Sequence, residues 1–293
     1  MLYFCTLQTE TNIQKMGDGI RLGNSGIMPP VVKNLLIINF LFFGAKIVLS
    51  NMDIDLDQIL GLHYYAASDF HIWQFITYMF MHNDFGHIFF NMFALWMFGG
   101  VIENVWGGRR FLIYYLLTGI GAALCHYIIV TFQVAPDMAL FNAFLDAPSV
   151  DTYRTLAEKC SAEHLKPILN NNLNYLLANQ SVESINELVS VTSDIKDSYL
   201  NSFNIIGASG AVFGLLLAFG MLFPNSEIYL YFLLPIKAKW FVLIYGLMEL
   251  GYGVMGTQDG IAHFAHLGGM IAGIIIILIW RKKDRNRYYQ NYY

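Results

Sequence analysis

The chain has 293 residues, of which 56% are hydrophobic and only 13% charged, and its mean hydropathy is +0.47. Soluble domains carry roughly a quarter charged residues, so this balance excludes an ordinary soluble enzyme and points to a protein built for lipid. A net charge of −4 offers no electrostatic footprint for nucleic acid, and Cys5, Cys125 and Cys160 have neither metal-ligand spacing nor the even number of a disulfide framework.

Taken in chain order, residues 1–30 are polar after a brief apolar start and read as a cytoplasmic leader, with Met16 and Met28 as alternative starts. Apolar stretches of spanning length follow at Val31 to Leu49, His82 to Ile102, Phe111 to Phe132, Ile205 to Phe223, Trp240 to Val254 and Ile261 to Trp280. The fifth is the weakest, being short and carrying Glu249. The expectation is an all-α, polytopic bundle of six transmembrane helices: spans 1–3 in 31–132 and spans 4–6 in 204–280. The loop 51–81 carries Asp53, Asp55, Asp57 and Asp69, no Lys or Arg, and a run of aromatic residues that suits an interface. Residues 133–203 are acidic and asparagine-rich with helical apolar spacing, and read as an extracytoplasmic helical insert between the third and fourth spans. Arg109 and Arg110, Lys237 and Lys239, and the basic tail 281–293 with Arg281, Lys282, Lys283, Arg285 and Arg287 all fall on one side of such a bundle. By the positive-inside rule that side is cytoplasmic, so both termini are expected inside, in a cell membrane of the bacterial inner-membrane kind.

Polar side chains inside spans cost free energy unless partnered, which makes each a functional candidate. His82, His87 and Asn91 stand in the outer half of the second span, Ser209 opens the fourth, and His263 and His266 open the sixth. His87 and Asn91 are four apart and share a helix face. Gly269 and Gly273 follow His266, and Gly210 and Gly214 follow Ser209, as two small-residue stripes that let helix backbones approach. If the fourth and sixth spans meet along them, Ser209 and His266 lie at one level. A hydroxyl becomes a nucleophile when a nearby histidine takes its proton. His263, three residues earlier on a similar face, is the alternative base, and the glycine pattern favours His266. His87, Asn91 and the Ser209 backbone N–H are suitable donors to a developing oxyanion. No acidic residue is assigned as a third member, and a dyad held rigid by packing is the simpler reading. Taken alone, Ser209 could equally be an interhelical hydrogen bonder and His82 an interfacial residue.

Three separated stretches, "HNDFGHIFFNMFALWMFGGVIE" in the second span, "GASG" before the fourth and "AHLGGMIAG" in the last, together resemble the rhomboid family of intramembrane serine proteases. The resemblance implies a six-helix bundle with Ser209 as nucleophile, His266 as general base and His87 with Asn91 as oxyanion donors. His82, Gly207 and Phe213 would stand in the same substrate-facing pocket. It implies transmembrane-helix protein substrates in the bilayer, no metal or other cofactor, and a fifth span that moves aside as a gate; oligomeric state is left open. Two departures stand out: Phe213 occupies a position where bacterial members often have tyrosine, and Trp73 is followed by Gln74 where arginine is frequent. The insert is longer than compact members need, and substrate recruitment and shielding are both open to it. A metallohydrolase lacks an H-E-x-x-H, and "GASGAV" does not complete G-x-S-x-G. The more serious rival is an inactive rhomboid-like protein that binds transmembrane helices without cleavage.

Overall fold

The computed structural model describes residues 28–230, 234–256 and 262–292, with side chains of the last helix described to Arg285. Most of the expected leader, including Cys5 and Met16, lies outside the described residues, as does the side chain of Arg287 in the tail. Helix α1 (Pro30–Ser50) leads into a loop with short helices α2 (Leu56–Leu60) and α3 (Gln74–Thr77). Then come α4 (Phe85–Trp106), α5 (Gly108–Asp146), α6 (Val150–Lys159), α7 (Lys166–Ala178), α8 (Val182–Asn201) and α9 (Ser209–Leu222). A hairpin of β1 (Glu227–Leu230) and β2 (Leu234–Lys237) precedes α10 (Ala238–Met255) and α11 (His263–Tyr292).

Among the described residues four helices, α1, α4, α5 and α11, are long and apolar enough to cross a membrane, which makes this a multi-pass helical membrane protein. Of the other two expected spans, α9 is apolar but only 14 residues long, and α10 has 18 residues with Glu249 buried in it. At 1.5 Å per residue α9 covers about 21 Å, short of a ~30 Å hydrocarbon core. It is buried from Gly210 to Ala218, so most of its length meets protein rather than lipid and the shortfall is tolerated.

Two boundaries and one element differ from the sequence reading. The second span begins at Phe85 and not at His82, because Asp84 caps the helix by accepting the His87 backbone N–H at 2.9 Å. His82 therefore belongs to the preceding loop. The third helix does not stop at Phe132 but runs through Pro136 to Asp146. Its extension carries Asp137, which is buried and accepts from the Ser161 N–H and hydroxyl, both at 2.7 Å, and from the Tyr199 hydroxyl at 2.9 Å, binding α5 to the helices after it. Lastly, β1 and β2 pair antiparallel from Glu227↔Lys237 to Leu230↔Leu234, a small strand element in what was expected to be purely helical.

The loop between α1 and α4 is fixed from within by Gln74. This fully buried amide accepts from the backbone N–H groups of His71 (3.0 Å) and His63 (3.3 Å), and donates to the carbonyls of Asp69 (2.8 Å) and Ile59 (3.3 Å). The residue that departs from the family's frequent arginine is thus a neutral staple, while its neighbour Trp73 is half exposed. Asp197 of α8 accepts from the Ser68 N–H at 2.9 Å and hydroxyl at 2.6 Å, holding α8 against the same loop.

A second buried carboxylate closes the bundle's other end. Glu103 of α4 accepts the N–H groups of Val31 (3.0 Å) and Val32 (2.8 Å), satisfying donors of the first turn of α1 that no helix carbonyl can reach. Glu103→Ala is expected to strand both N–H groups in a buried setting and to lower stability by about 2 kcal/mol. Thermal unfolding in detergent micelles checks this, and an unchanged midpoint would refute the cap.

Candidate active site

Ser209 is the first residue of α9, and two glycines put it there. Gly207 has φ +127°, a left-handed conformation that side chains resist, and its N–H donates to the Tyr78 carbonyl at 2.9 Å. A Cβ at this position would stand 2.8 Å from Nε2 of His87, so the absent side chain is what lets His87 lie over the turn. Gly210 then meets α11 backbone to backbone: a methyl on Gly269 would overlap the Gly210 carbonyl, and one on Gly210 would overlap Ala122 of α5. Three helices that meet at one level through two glycines and one alanine methyl fix the serine relative to its neighbours.

At that level the Ser209 hydroxyl stands 2.8 Å from Nε2 of His266. The Phe213 ring, one turn along α9, lies flat on the imidazole, with centroids 4.1 Å apart and planes 7° apart. Tyr245 of α10 stacks next to Phe213 at 5.3 Å and 12°. The stacking therefore needs no hydroxyl at position 213.

The far side of the imidazole holds a residue that sequence reasoning passed over. Nδ1 of His266 is 3.0 Å from Oε2 of Glu249, and the same oxygen is 2.7 Å from Nδ1 of His263. All three side chains are buried. Glu249 had counted only against the fifth span, yet the rule that a carboxylate in a span needs a partner was the available signal. His263, the alternative base, faces Glu249, whereas the hydrogen bond to Ser209 belongs to His266.

On the opposite wall, Nδ1 of His87 accepts the Asn83 backbone N–H at 3.3 Å, which leaves the proton on Nε2, the nitrogen turned towards Gly207 and Ser209. Asn91, one turn on and buried, donates one amide hydrogen to the His87 carbonyl at 3.0 Å and keeps its second donor. His82 is fully buried behind His87, ring centroids 5.0 Å apart, and burial pushes its pKa down to about 3. It is a neutral neighbour of His87 and makes no hydrogen bond to Ser209 or His266. A cavity of about 610 Å³ opens between α4, α9 and α10, and Ser209, His266, His87, Asn91, Phe213 and Tyr245 line it.

Among the described residues Glu249, His263 and His266 are the set whose donor atoms could surround a metal ion, all within 4.8 Å. Their 2.7 and 3.0 Å separations are lengths of N–H to carboxylate hydrogen bonds. Two ligands at ~2.0–2.1 Å from a tetrahedral zinc stand about 3.3 Å apart, so the present geometry is that of a shared proton acceptor.

Gly207→Ala is expected to force the turn out of its left-handed conformation and to push His87 away. Destabilisation of about 1–3 kcal/mol follows from the strain alone. Thermal unfolding in detergent micelles checks this, and a wild-type midpoint would show that the turn has room to adjust.

Comparison with known proteins shows the family. A family model described as Rhomboid domain matches residues 69–135 and 173–283, leaving out the chain before residue 69, the stretch 136–172 from the end of α5 into α7, and the last ten residues. The chain is 23% identical to RHOMBOID-like protein 12, mitochondrial, of Arabidopsis thaliana over 249 residues, covering 84% of this chain and 54% of that protein. It is 34% identical to Rhomboid protease GluP of Bacillus subtilis over 56 residues, 19% of this chain and 11% of that protein. It is 32% identical to Rhomboid-like protein 11, chloroplastic, of Arabidopsis thaliana over 92 residues, 30% of this chain and 33% of that protein. The chain thus spans about half the length of these relatives, or less. They come from a bacterium, mitochondria and chloroplasts, so the comparison supports a multi-pass membrane protein and not the narrower expectation of a bacterial inner membrane. The family pattern covers more than half of the sequence and includes both Ser209 and His266, and the chain belongs to the rhomboid family.

Proposed function

We propose that this protein is an intramembrane serine endopeptidase that cleaves transmembrane segments of other membrane proteins, with Ser209 as nucleophile and His266 as general base. The observation that carries the reading is the 2.8 Å contact between the Ser209 hydroxyl and Nε2 of a histidine that α11 holds against α9 through glycine. In the first step the Ser209 oxygen bonds to the scissile carbonyl carbon while its proton passes to Nε2 of His266. The carbonyl oxygen takes up the electron pair and becomes an oxyanion. Nε2–H of His87, the free amide hydrogen of Asn91 and the Ser209 backbone N–H surround the space above the nucleophile, and each fixed donor there contributes roughly 3 kcal/mol to the transition state. Collapse breaks the C–N bond, and the leaving amine takes the proton from His266. Water then attacks the acyl carbon, gives a proton to His266, and the serine recovers it as the new carboxyl terminus departs.

The substrate is a helix of a membrane protein that must unwind to reach a half-buried serine on the cavity wall, and no cofactor enters any step. The bundle in this reading has six spans, with α9 and α10 as the fourth and fifth and the helices between α5 and α9 on the outer face. A fluorophosphonate should attach to Ser209, located by peptide mass spectrometry. The purified protein in liposomes should cut a reporter bearing a helix-destabilised transmembrane segment, in the presence of excess chelator. A reporter that is bound, left intact, and joined by an unlabelled Ser209 would replace this reading with that of a non-cleaving helix binder.

A further inference from the structure

Three carboxylates are buried among the described residues, and their partners differ in kind. Glu103 receives backbone N–H groups at a helix end, and Asp137 receives a hydroxyl, a phenol and a backbone N–H between helices. Glu249 alone receives imidazoles, and one of them is the ring that contacts Ser209. Any donor could neutralise a carboxylate inside a span; only this one touches the back of the base.

We propose that Glu249 is a positioning residue that makes the Ser209–His266 pair into a triad, with His263 holding the acid. The inference rests on the proposed protease reading and deepens it. For Nε2 of His266 to accept the serine proton, the ring's own proton must sit on Nδ1, and Oε2 of Glu249 at 3.0 Å selects that tautomer. When the imidazole takes up the second proton, the positive charge it gains stands beside the carboxylate in a site of low dielectric. The proton stays on His266 and goes to the leaving amine; Glu249 never takes it.

His263 supplies what a lone carboxylate on a separate helix would lack. His263 and His266 are three residues apart on α11 and present Nδ1 to the same oxygen of α10. Oε2 cannot rotate away without breaking both hydrogen bonds. The ring of His266 is then held at three points: the serine at Nε2, the carboxylate at Nδ1 and Phe213 on its face. Nucleophile, base and acid come from α9, α11 and α10 respectively, so the triad assembles only when all three helices are packed together.

Two variants separate positioning from packing. Glu249→Gln keeps the size and an acceptor oxygen but removes the charge, while Glu249→Asp keeps the charge and shortens the reach by one methylene. A triad acid predicts that Gln lowers kcat on the order of 10²–10⁴-fold with KM nearly unchanged, and that Asp retains more activity than Gln. A merely structural side chain gives the reverse order, since Gln preserves the shape, and that order would overturn the proposal. Wild-type kcat in Glu249→Gln would do the same. Thermal unfolding of each variant accompanies the kinetics, and a Gln variant that loses stability in proportion to activity also counts against a positioning role. Loss of cutting with chelator and its return with zinc would make the cluster a metal centre instead. The same ordering is read in fluorophosphonate labelling of Ser209, which needs no peptide substrate. Labelling that follows the Asp-above-Gln order while the reporter stays uncut would sustain the triad and overturn only the protease reading; absent labelling in the wild type would overturn both.

Discussion

Ser209→Ala is expected to lower kcat for the reporter by about 10⁶-fold, His266→Ala by a similar factor, and the double variant no further. The non-additivity is the informative part. With the hydroxyl gone the base has no proton to take, and with the base gone the hydroxyl remains a weak nucleophile, so either loss removes the whole covalent route. What remains is the donors around the oxyanion and the fixing of the substrate, worth roughly 10³–10⁴-fold over water. His87→Ala introduced into the Ser209→Ala background should therefore cost a further factor, unlike His266→Ala. Stability should hardly change in Ser209→Ala, within about 1 kcal/mol, because it removes a single hydrogen bond at the cavity wall. Cleavage by Ser209→Ala at a tenth of the wild-type rate or faster would refute the nucleophile outright.

The pairing of Ser209 with His266 could be read from the sequence because glycine leaves a mark that does not depend on distance along the chain. Gly210 and Gly269 do face each other across α9 and α11. The other members of the two stripes are used differently: Gly214 packs on Thr118 of α5, and Gly273 on Tyr114 of α5 and Leu217 of α9. Tyr114 in turn donates to the Gly214 carbonyl at 2.8 Å. A small-residue stripe announces close approach and says nothing about which helix will approach. His87 and Asn91 were legible for a local reason, the four-residue spacing on one helix. Glu249 was not, because it lies 17 residues from His266 with a chain reversal between, and no periodicity links the two.

The misplaced boundaries share a cause. Hydropathy marks where lipid ends, but backbone hydrogen bonds continue as well in water as in hydrocarbon, so a helix has no reason to stop at the membrane edge. The 39 residues of α5 reach about 58 Å, nearly twice the hydrocarbon core. Conversely α4 starts where Asp84 can cap it, not where the apolar run begins. In Gln74 the family pattern suggested a weakness, and the structure finds four hydrogen bonds made by the amide itself. A guanidinium offers donors only, so it could not have accepted the N–H groups of His63 and His71.

Gly269→Ala should be among the most damaging single changes outside the site itself, with a loss on the order of 3 kcal/mol in stability and about 10²-fold in kcat. The added methyl would overlap the Gly210 carbonyl oxygen, and its neighbours there are the backbone atoms of Gly210 rather than the end of a movable side chain. Relief requires α9 and α11 to separate by about an ångström, roughly the misplacement that costs 10²-fold when a reacting pair must stay aligned. The 2.8 Å contact of Ser209 with His266 crosses that same interface one residue away from Gly210, so it lengthens directly. Gly44→Ala on α1 is the control: nothing lies within 4 Å of the new methyl, and alanine's better helix propensity should leave stability unchanged or raised by up to about 1 kcal/mol. Unfolding midpoints and reporter kinetics on the two variants decide the matter. If Gly269→Ala unfolds and cuts as the wild type does, the backbone-to-backbone seam between α9 and α11 is wrong, and so is the distance on which the proposed chemistry depends. If it loses both while Gly44→Ala loses neither, the seam is what holds the base to the serine.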